Sequence, residues 1–233
     1  MERIRRLRLS ALSSTQIILI GYAAIILFGG FLLSTPLASE SGQWTNFPDA
    51  LFTATSATCV TGLIVVPTAT YWSLFGELVI LALIQIGGMG FLTMAVMIFV
   101  VTGRRIGLRQ RFTMQESIGP PALGGIVRLT RFIFKGVLLF ESLGTIALAF
   151  RFVPLLGVAR GLYYAVFHSI SAFCNAGFDL MAGVAGEGSL TYFVGDPVVN
   201  LTIMLLIIIG GLGFFVWEDL YLHRGRFGRC RLH

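Results

Sequence analysis

The strongest constraint in this sequence is a motif that it carries twice. Ser56-Ala57-Thr58-Cys59-Val60-Thr61-Gly62-Leu63 recurs without a gap as Ser171-Ala172-Phe173-Cys174-Asn175-Ala176-Gly177-Phe178, with Ser, Ala, Cys and Gly identical. A second repeated string follows each copy, Gly87-Gly88-Met89-Gly90-Phe91 and then Gly210-Gly211-Leu212-Gly213-Phe214. A unit carried twice predicts two copies of one arrangement: helix, short polar loop, helix. At membrane depth such a loop must be buried in protein or line a cavity, because lipid leaves its backbone groups unsatisfied.

The rest of the chain places that unit in a membrane. Apolar stretches run over residues 9–39, 78–103, 136–150 and 197–217. Hydrophobic residues make up 56% of the chain and charged ones 12%, about half the charged share of a soluble domain. A helix needs about 20 apolar residues to cross the hydrocarbon core. Three stretches satisfy this outright. The third does so if it starts near Leu129 and lets Arg131 and Lys135 snorkel at one end. The first follows a basic start but is longer than a signal-peptide core, so it reads as a span.

Fifteen of the 17 basic residues fall in three clusters. Arg3, Arg5, Arg6 and Arg8 precede the first stretch. Arg104, Arg105, Arg109, Arg111, Arg128, Arg131 and Lys135 separate the second from the third. Arg224, Arg226, Arg229 and Arg231 follow the fourth. Positive charge marks the cytoplasmic side, so both termini and the central connector are expected there. The net charge of +6 is then a topology signal. Nucleic acid is excluded as a partner, since no basic patch is interleaved with aromatics. Three cysteines give no disulfide framework. Cys59 and Cys174, equivalent in the two copies, are expected to be small buried residues in packing slots, with no ligand-spaced neighbour to make a metal site.

The organisation follows. Residues 1–103 form a first repeat, 104–130 a cytoplasmic connector, 131–222 a second repeat and 223–233 a basic tail. The connector reads as an interfacial helix over 104–118 or as a plain linker. Asn46, Pro48 and Asp49 make a helix start that runs to Thr58, too short to span. Residues 161–173 form a second such helix, ending at the same motif. The fold class is an all-α membrane protein of two membrane–pore-loop–membrane repeats: four transmembrane helices plus two re-entrant pore half-helices with filter loops.

The strips 59–62 and 174–177 carry no charge. They offer backbone carbonyls, the Thr61 hydroxyl and the Asn175 amide, neutral oxygens of the kind that replace the water shell of a weakly hydrated monovalent cation. The terminal glycine permits positive φ and can turn successive carbonyls toward one axis. The partial negative charge at each half-helix C-terminus favours a cation. The competing account is a pair of tight turns; recurrence on one side of the membrane, each copy before a Gly-rich span, favours the filter. The glycine strings read as close helix approach, or else as a hinge. Glu141, an acid within the third span, is either a functional polar site or a structural hydrogen bond to a neighbouring helix. Glu77 reads as interfacial, and His168 as a packed or capping residue. Glu40, Asp49, Asp179, Glu187 and Asp196 make the outer face mildly acidic, which draws cations or is simply loop composition. No nucleophile–base pair, metal cluster or phosphate loop is visible, so the chain is not read as an enzyme.

Thr53-Ala-Thr-Ser-Ala-Thr-Cys-Val-Thr-Gly-Leu63 with Ile84-Gln-Ile-Gly-Gly-Met-Gly-Phe91 resembles the Trk/Ktr potassium-uptake superfamily. Ala172-Phe-Cys-Asn-Ala-Gly-Phe-Asp179 with Gly210-Gly-Leu-Gly-Phe-Phe-Val-Trp-Glu-Asp219 resembles its Ktr-type membrane subunit. The resemblance implies four membrane–pore-loop–membrane repeats around one ion path in the cell membrane. It makes Gly62 and Gly177 filter glycines, with Val60, Thr61, Asn175 and Ala176 lending carbonyls to potassium and Cys59 and Cys174 flanking them. It implies potassium as substrate, no bound cofactor, a homodimer in the lipid bilayer, and a cytoplasmic nucleotide-binding regulatory subunit. This chain shows two repeats where that family has four, so it is expected to be a fragment, a truncated product or one half of a split protein completed by two further repeats. Its function is then potassium uptake as half of a channel-like transporter, or alternatively a scaffold role without conduction of its own.

Overall fold

A computed structural model of the chain describes residues 14–90, 126–182, 184 and 188–222. Among these residues every regular element is helical. The first group comprises α1 (Ser14–Ser34), α2 (Phe47–Thr58), the single turn α3 (Thr68–Tyr71) and α4 (Leu74–Met89). The second comprises α5 (Ile126–Leu156), α6 (Val158–Phe173), a 3-10 turn at Ser189–Phe193, α7 (Pro197–Gly211) and α8 (Phe214–Leu222). The expected interfacial helix over 104–118 and the basic clusters at both termini lie outside the described residues.

Each group is built alike. The short α2 packs against α1 and α4, and α6 packs against α5 and α7. The groups meet where α4 touches α6. Helix α2 buries Ala50, Thr53, Ala54 and Ala57, the i, i+4, i+7 stripe that small side chains let approach closely. Asn46 precedes it as expected, but its side chain makes no cap bond. Its carbonyl instead accepts the Asp49 and Ala50 N–H groups, both at 3.0 Å. Helix α6 begins three residues earlier than expected and is joined to α5 by Gly157 alone.

Among the described residues, two helices are long and apolar enough to cross a membrane, over Thr15–Ser34 and Thr130–Leu156. The third apolar stretch therefore meets its condition, because α5 opens at Ile126. The fourth does not run unbroken, contrary to expectation: α7 ends at Gly211, and α8 resumes after Gly213 at φ +85°. In the second, α4 ends at Met89, where Gly90 has φ +78°. With 16 and 15 residues, α4 and α7 reach roughly 24 and 22 Å, short of a hydrocarbon core of about 30 Å. The last glycine of each repeated string thus breaks the helix.

Large apolar side chains cover the outside. Leu19, Phe28 and Phe31 on α1, Leu139 and Ile146 on α5, and Leu201 and Ile208 on α7 are all more than half exposed. Contiguous exposure of this kind suits lipid and would drive aggregation in water.

Candidate functional site

The two motif copies fold into one backbone shape. Helix α2 ends in a Schellman cap: Val60 N–H donates to the Ala57 carbonyl at 3.3 Å and Thr61 N–H to the Ser56 carbonyl at 3.0 Å. Helix α6 repeats it, with Asn175 N–H on Ala172 at 3.0 Å and Ala176 N–H on Ser171 at 2.8 Å. The cap needs a left-handed residue at its second position. That position is Val60 at φ +53° and Asn175 at φ +60°. Asparagine tolerates this conformation, whereas a β-branched valine is strained there. Two residues on, Gly62 and Gly177 both have φ +73°, as the terminal glycines led one to expect.

The strips touch each other. A Cβ on Gly62 would lie 2.6 Å from the Ala176 carbonyl oxygen and 3.3 Å from Gly177 Cα. A Cβ on Gly177 would lie 3.5 Å from Gly62 Cα. The N–H groups of residues 59–61 and 174–176 turn back into their own helix ends, while among the described residues no hydrogen bond is donated to a carbonyl of residues 59–62 or 174–177. Each strip therefore presents oxygens that the protein leaves unspent.

Side chains at the strips divide differently from the sequence expectation. The Thr61 hydroxyl donates to Ser56 Oγ at 2.9 Å, which spends its hydrogen and not its oxygen lone pairs. The Asn175 amide turns back toward the Phe173 carbonyl at 3.5 Å. Cys174 is buried as expected, but Cys59 is exposed. The reason is the neighbour: Gly88 of α4 lies so close to Cys174 that a Cβ there would sit 2.5 Å from its Sγ, whereas Cys59 has no such helix beside it among the described residues.

The structure gives roles to residues that sequence reasoning passed over. Ser56 accepts the Thr61 hydroxyl, and its counterpart Ser171 donates to the Phe178 carbonyl at 2.6 Å. Both brace their strip from behind, and their identity in the two motif copies was the available signal. Gly87 and Gly210 are also equivalent: a Cβ on either would overlap the last carbonyl of the short helix, Thr58 or Phe173. The first glycine of each string thus serves close approach, while the last makes the break. His168 is packed, not a ligand. Its Nδ1 lies 2.7 Å from the Tyr164 carbonyl and its Nε2 accepts the Leu180 N–H at 3.2 Å, which fixes the proton on Nδ1. It ties the chain leaving the second strip to α6. Glu141 makes the hydrogen bond that was one of its two readings: Gln85 Nε2 donates to its Oε1 at 3.0 Å. Glu77 is buried and accepts the Tyr163 hydroxyl at 2.8 Å, a bond between the repeats. At the start of α7, Asp196 pairs with Arg151 at 2.5 Å and accepts the Val198 and Val199 N–H groups.

Comparison with known proteins gives the family. The family model described as TrkH, a cation transport protein, matches residues 12–228. The chain is 39% identical over its whole length to the Potassium/sodium uptake protein NtpJ of Enterococcus hirae, covering 49% of that protein. It is 43% identical to the Ktr system potassium uptake protein B of Bacillus subtilis over 94% of the chain and 47% of that protein. It is 41% identical to the protein of the same name from Vibrio alginolyticus over 89% of the chain and 44% of that protein. The chain thus spans about half the length of the curated relatives it matches. A match of this extent shows the family, and the chain belongs to the TrkH cation transport family.

Proposed function

We propose that the strips 59–62 and 174–177 are two sectors of a potassium selectivity filter in re-entrant pore loops, and that the chain supplies half of a potassium-uptake pathway. The observation that carries this reading is the contact of two identically folded strips, Gly62 against Gly177, whose carbonyls accept no hydrogen bond among the described residues. Neutral oxygens around one axis replace the hydration shell of a monovalent cation without trapping it. The ligands are the carbonyls of Val60, Thr61, Gly62, Asn175, Ala176 and Gly177. Side chains stay behind the strips, with Cys59 and Cys174 at their base.

The relatives' names, potassium or potassium/sodium uptake, agree with the ion chosen. Exposed Cys59 supports the view that the pathway is larger than this chain. Cys174 is covered by a span of the preceding repeat, and a further repeat would cover Cys59 in the same way. On this reading the two missing sectors come from two more repeats. Both termini face the cytoplasm, as the basic clusters require. A second copy and a cytoplasmic nucleotide-binding subunit complete the assembly, as the superfamily resemblance implies.

The test is ion discrimination. Gly62→Ser or Gly177→Ser in the transport-competent protein lowers the preference for potassium over sodium in uptake assays; unchanged preference removes the filter assignment. A scaffold without conduction is the competing reading, favoured by the half-length match. The chain alone in vesicles, binding its completing half but never restoring potassium flux with it, would support that instead.

A further inference from the structure

We propose that Gln85 and Glu141 are positioning residues, a polar brace between the repeats that holds the second strip in register with the first. The proposal rests on the filter reading above. Gln85 lies on α4 of the first repeat, two residues before the glycine that packs on α2. Its Nε2 reaches across to Glu141 Oε1 on α5 at 3.0 Å and also approaches Met89 Sδ at 3.4 Å. Its Oε1 faces the Cys174 thiol, which donates weakly at 3.9 Å. Cys174 is the residue at which α6 gives way to the second strip.

Glu141 ties the other side. Its backbone carbonyl accepts the Ser169 hydroxyl at 2.7 Å, and Ser169 is fully buried on α6. Gly144, one turn along α5, lets Ser169 sit there, since a Cβ on it would lie 2.5 Å from Ser169 Oγ. One amide side chain therefore links the first repeat to both the helix and the cap that carry the second strip. Glu141 is 7% exposed. Burying a carboxyl in a membrane protein is expensive unless it is partnered, so a purely apolar contact would have been the cheaper way to pack these helices.

The brace is not a product of the duplication. At the register that aligns the two glycine strings, Gln85 corresponds to Ile208; at the register that aligns the two motifs, Ser169 corresponds to Ala54. The second repeat's α7 thus offers lipid an isoleucine where the first repeat's α4 offers the interface an amide. The polar group exists only where one repeat must be set against the other.

The experiment uses the transport-competent protein with three variants: Glu141→Ala, Gln85→Leu and Glu141→Gln. The last keeps an oxygen acceptor for Gln85 Nε2. The first readout is the alkylation rate of the Cys174 thiol, resolved by mass spectrometry and normalised to the same peptide of the unaltered protein. Glu141→Ala and Gln85→Leu should speed Cys174 labelling about tenfold, the scale of one lost hydrogen bond, and Glu141→Gln by less than about twofold. The second readout is the ratio of half-saturation for potassium and sodium, which should shift severalfold in the first two variants and hold in the third. Gln85→Leu keeps the test open if Glu141→Ala does not accumulate. Unchanged labelling, unchanged ion preference, or a Glu141→Gln variant as damaged as Glu141→Ala would each overturn the brace. Gly177→Ser, measured beside them, separates the two ideas. If it shifts ion preference while the brace variants do not, the brace alone fails; if it too has no effect, the filter reading fails and the brace with it.

Discussion

Gly62→Ala is the most informative single perturbation of this structure. The residue has φ +73°, where an L side chain costs about 1–2 kcal/mol. The new Cβ would also lie 2.6 Å from the Ala176 carbonyl oxygen. An ordinary carbon–oxygen contact is about 3.3 Å or more, so that carbonyl must retreat by roughly 0.7 Å. The obstacle is backbone of the opposite strip, and it is itself held by the Ala176 N–H bond to Ser171 at 2.8 Å. Strain of this kind adds about 1–3 kcal/mol. It falls on the register of the two strips, where about 1.4 kcal/mol of ion discrimination is tenfold in preference. We expect the preference for potassium over sodium to fall by about tenfold or more, measured as a ratio of the two ions so that it does not depend on membrane abundance. The assay is competitive uptake in cells that lack other potassium uptake systems. Gly42→Ala is the control, because Gly42 has φ +67° but nothing within 4 Å of an added Cβ. It should carry the conformational penalty without changing ion preference. If both variants behave alike, or if Gly62→Ala transports with unchanged preference, the contact between the strips does not set selectivity.

Three further outcomes follow from the same geometry. Gly87→Ala and Gly210→Ala each drive a methyl into the last carbonyl of a short helix, which should destabilise by about 3 kcal/mol and be read as lower abundance and melting temperature; if both variants keep wild-type abundance and melting temperature, the close-approach role is wrong. Val60→Gly should raise stability by about 1 kcal/mol by relieving a left-handed valine, whereas Asn175→Gly should be nearly neutral; equal effects on thermal melting would contradict the strain assignment. At Asp196, desolvation raises the carboxyl's pKa, but the Arg151 guanidinium and the Val199 and Val198 amides together outweigh it and hold the carboxyl below its ordinary value. A folded-state value held low means stability that is present above the ordinary carboxylate range and lost as pH falls through the folded value. Acid should therefore loosen the start of α7 in detergent-solubilised protein, and Asp196→Asn should abolish that pH dependence.

Much of this site was legible because its signals are local. A positive φ is written into Gly62 and Gly177 by their lack of Cβ, and a helix end by the motif that follows it. The short helices were legible for the same reason: an early proline and an acid mark the start of α2, and the chain is too short there to cross lipid. What misled was treating apolar length as helix length. Residues 197–217 carry no charge and are mostly apolar up to Trp217, yet Gly213 reverses the backbone just past the end of α7. Hydropathy has no term for that reversal. Thr61 shows the same limit, since residue type names a hydroxyl but not the Ser56 partner that its hydrogen takes at the helix end.

The sequence by itself determined the membrane class, the duplication, the two neutral strips and the family. Each of these is a property of residue type and order along the chain. Tertiary structure decided which groups are spent and which are left over. It set Gly62 against Gly177, covered Cys174 but not Cys59, tied the Thr61 hydroxyl to Ser56, and brought Gln85 to Glu141. Those outcomes depend on residues 56 or more positions apart meeting in space, or on a short helix ending in one hydrogen-bonded cap rather than another. No local pattern encodes them, because the free energy that selects them arises only when the helices pack.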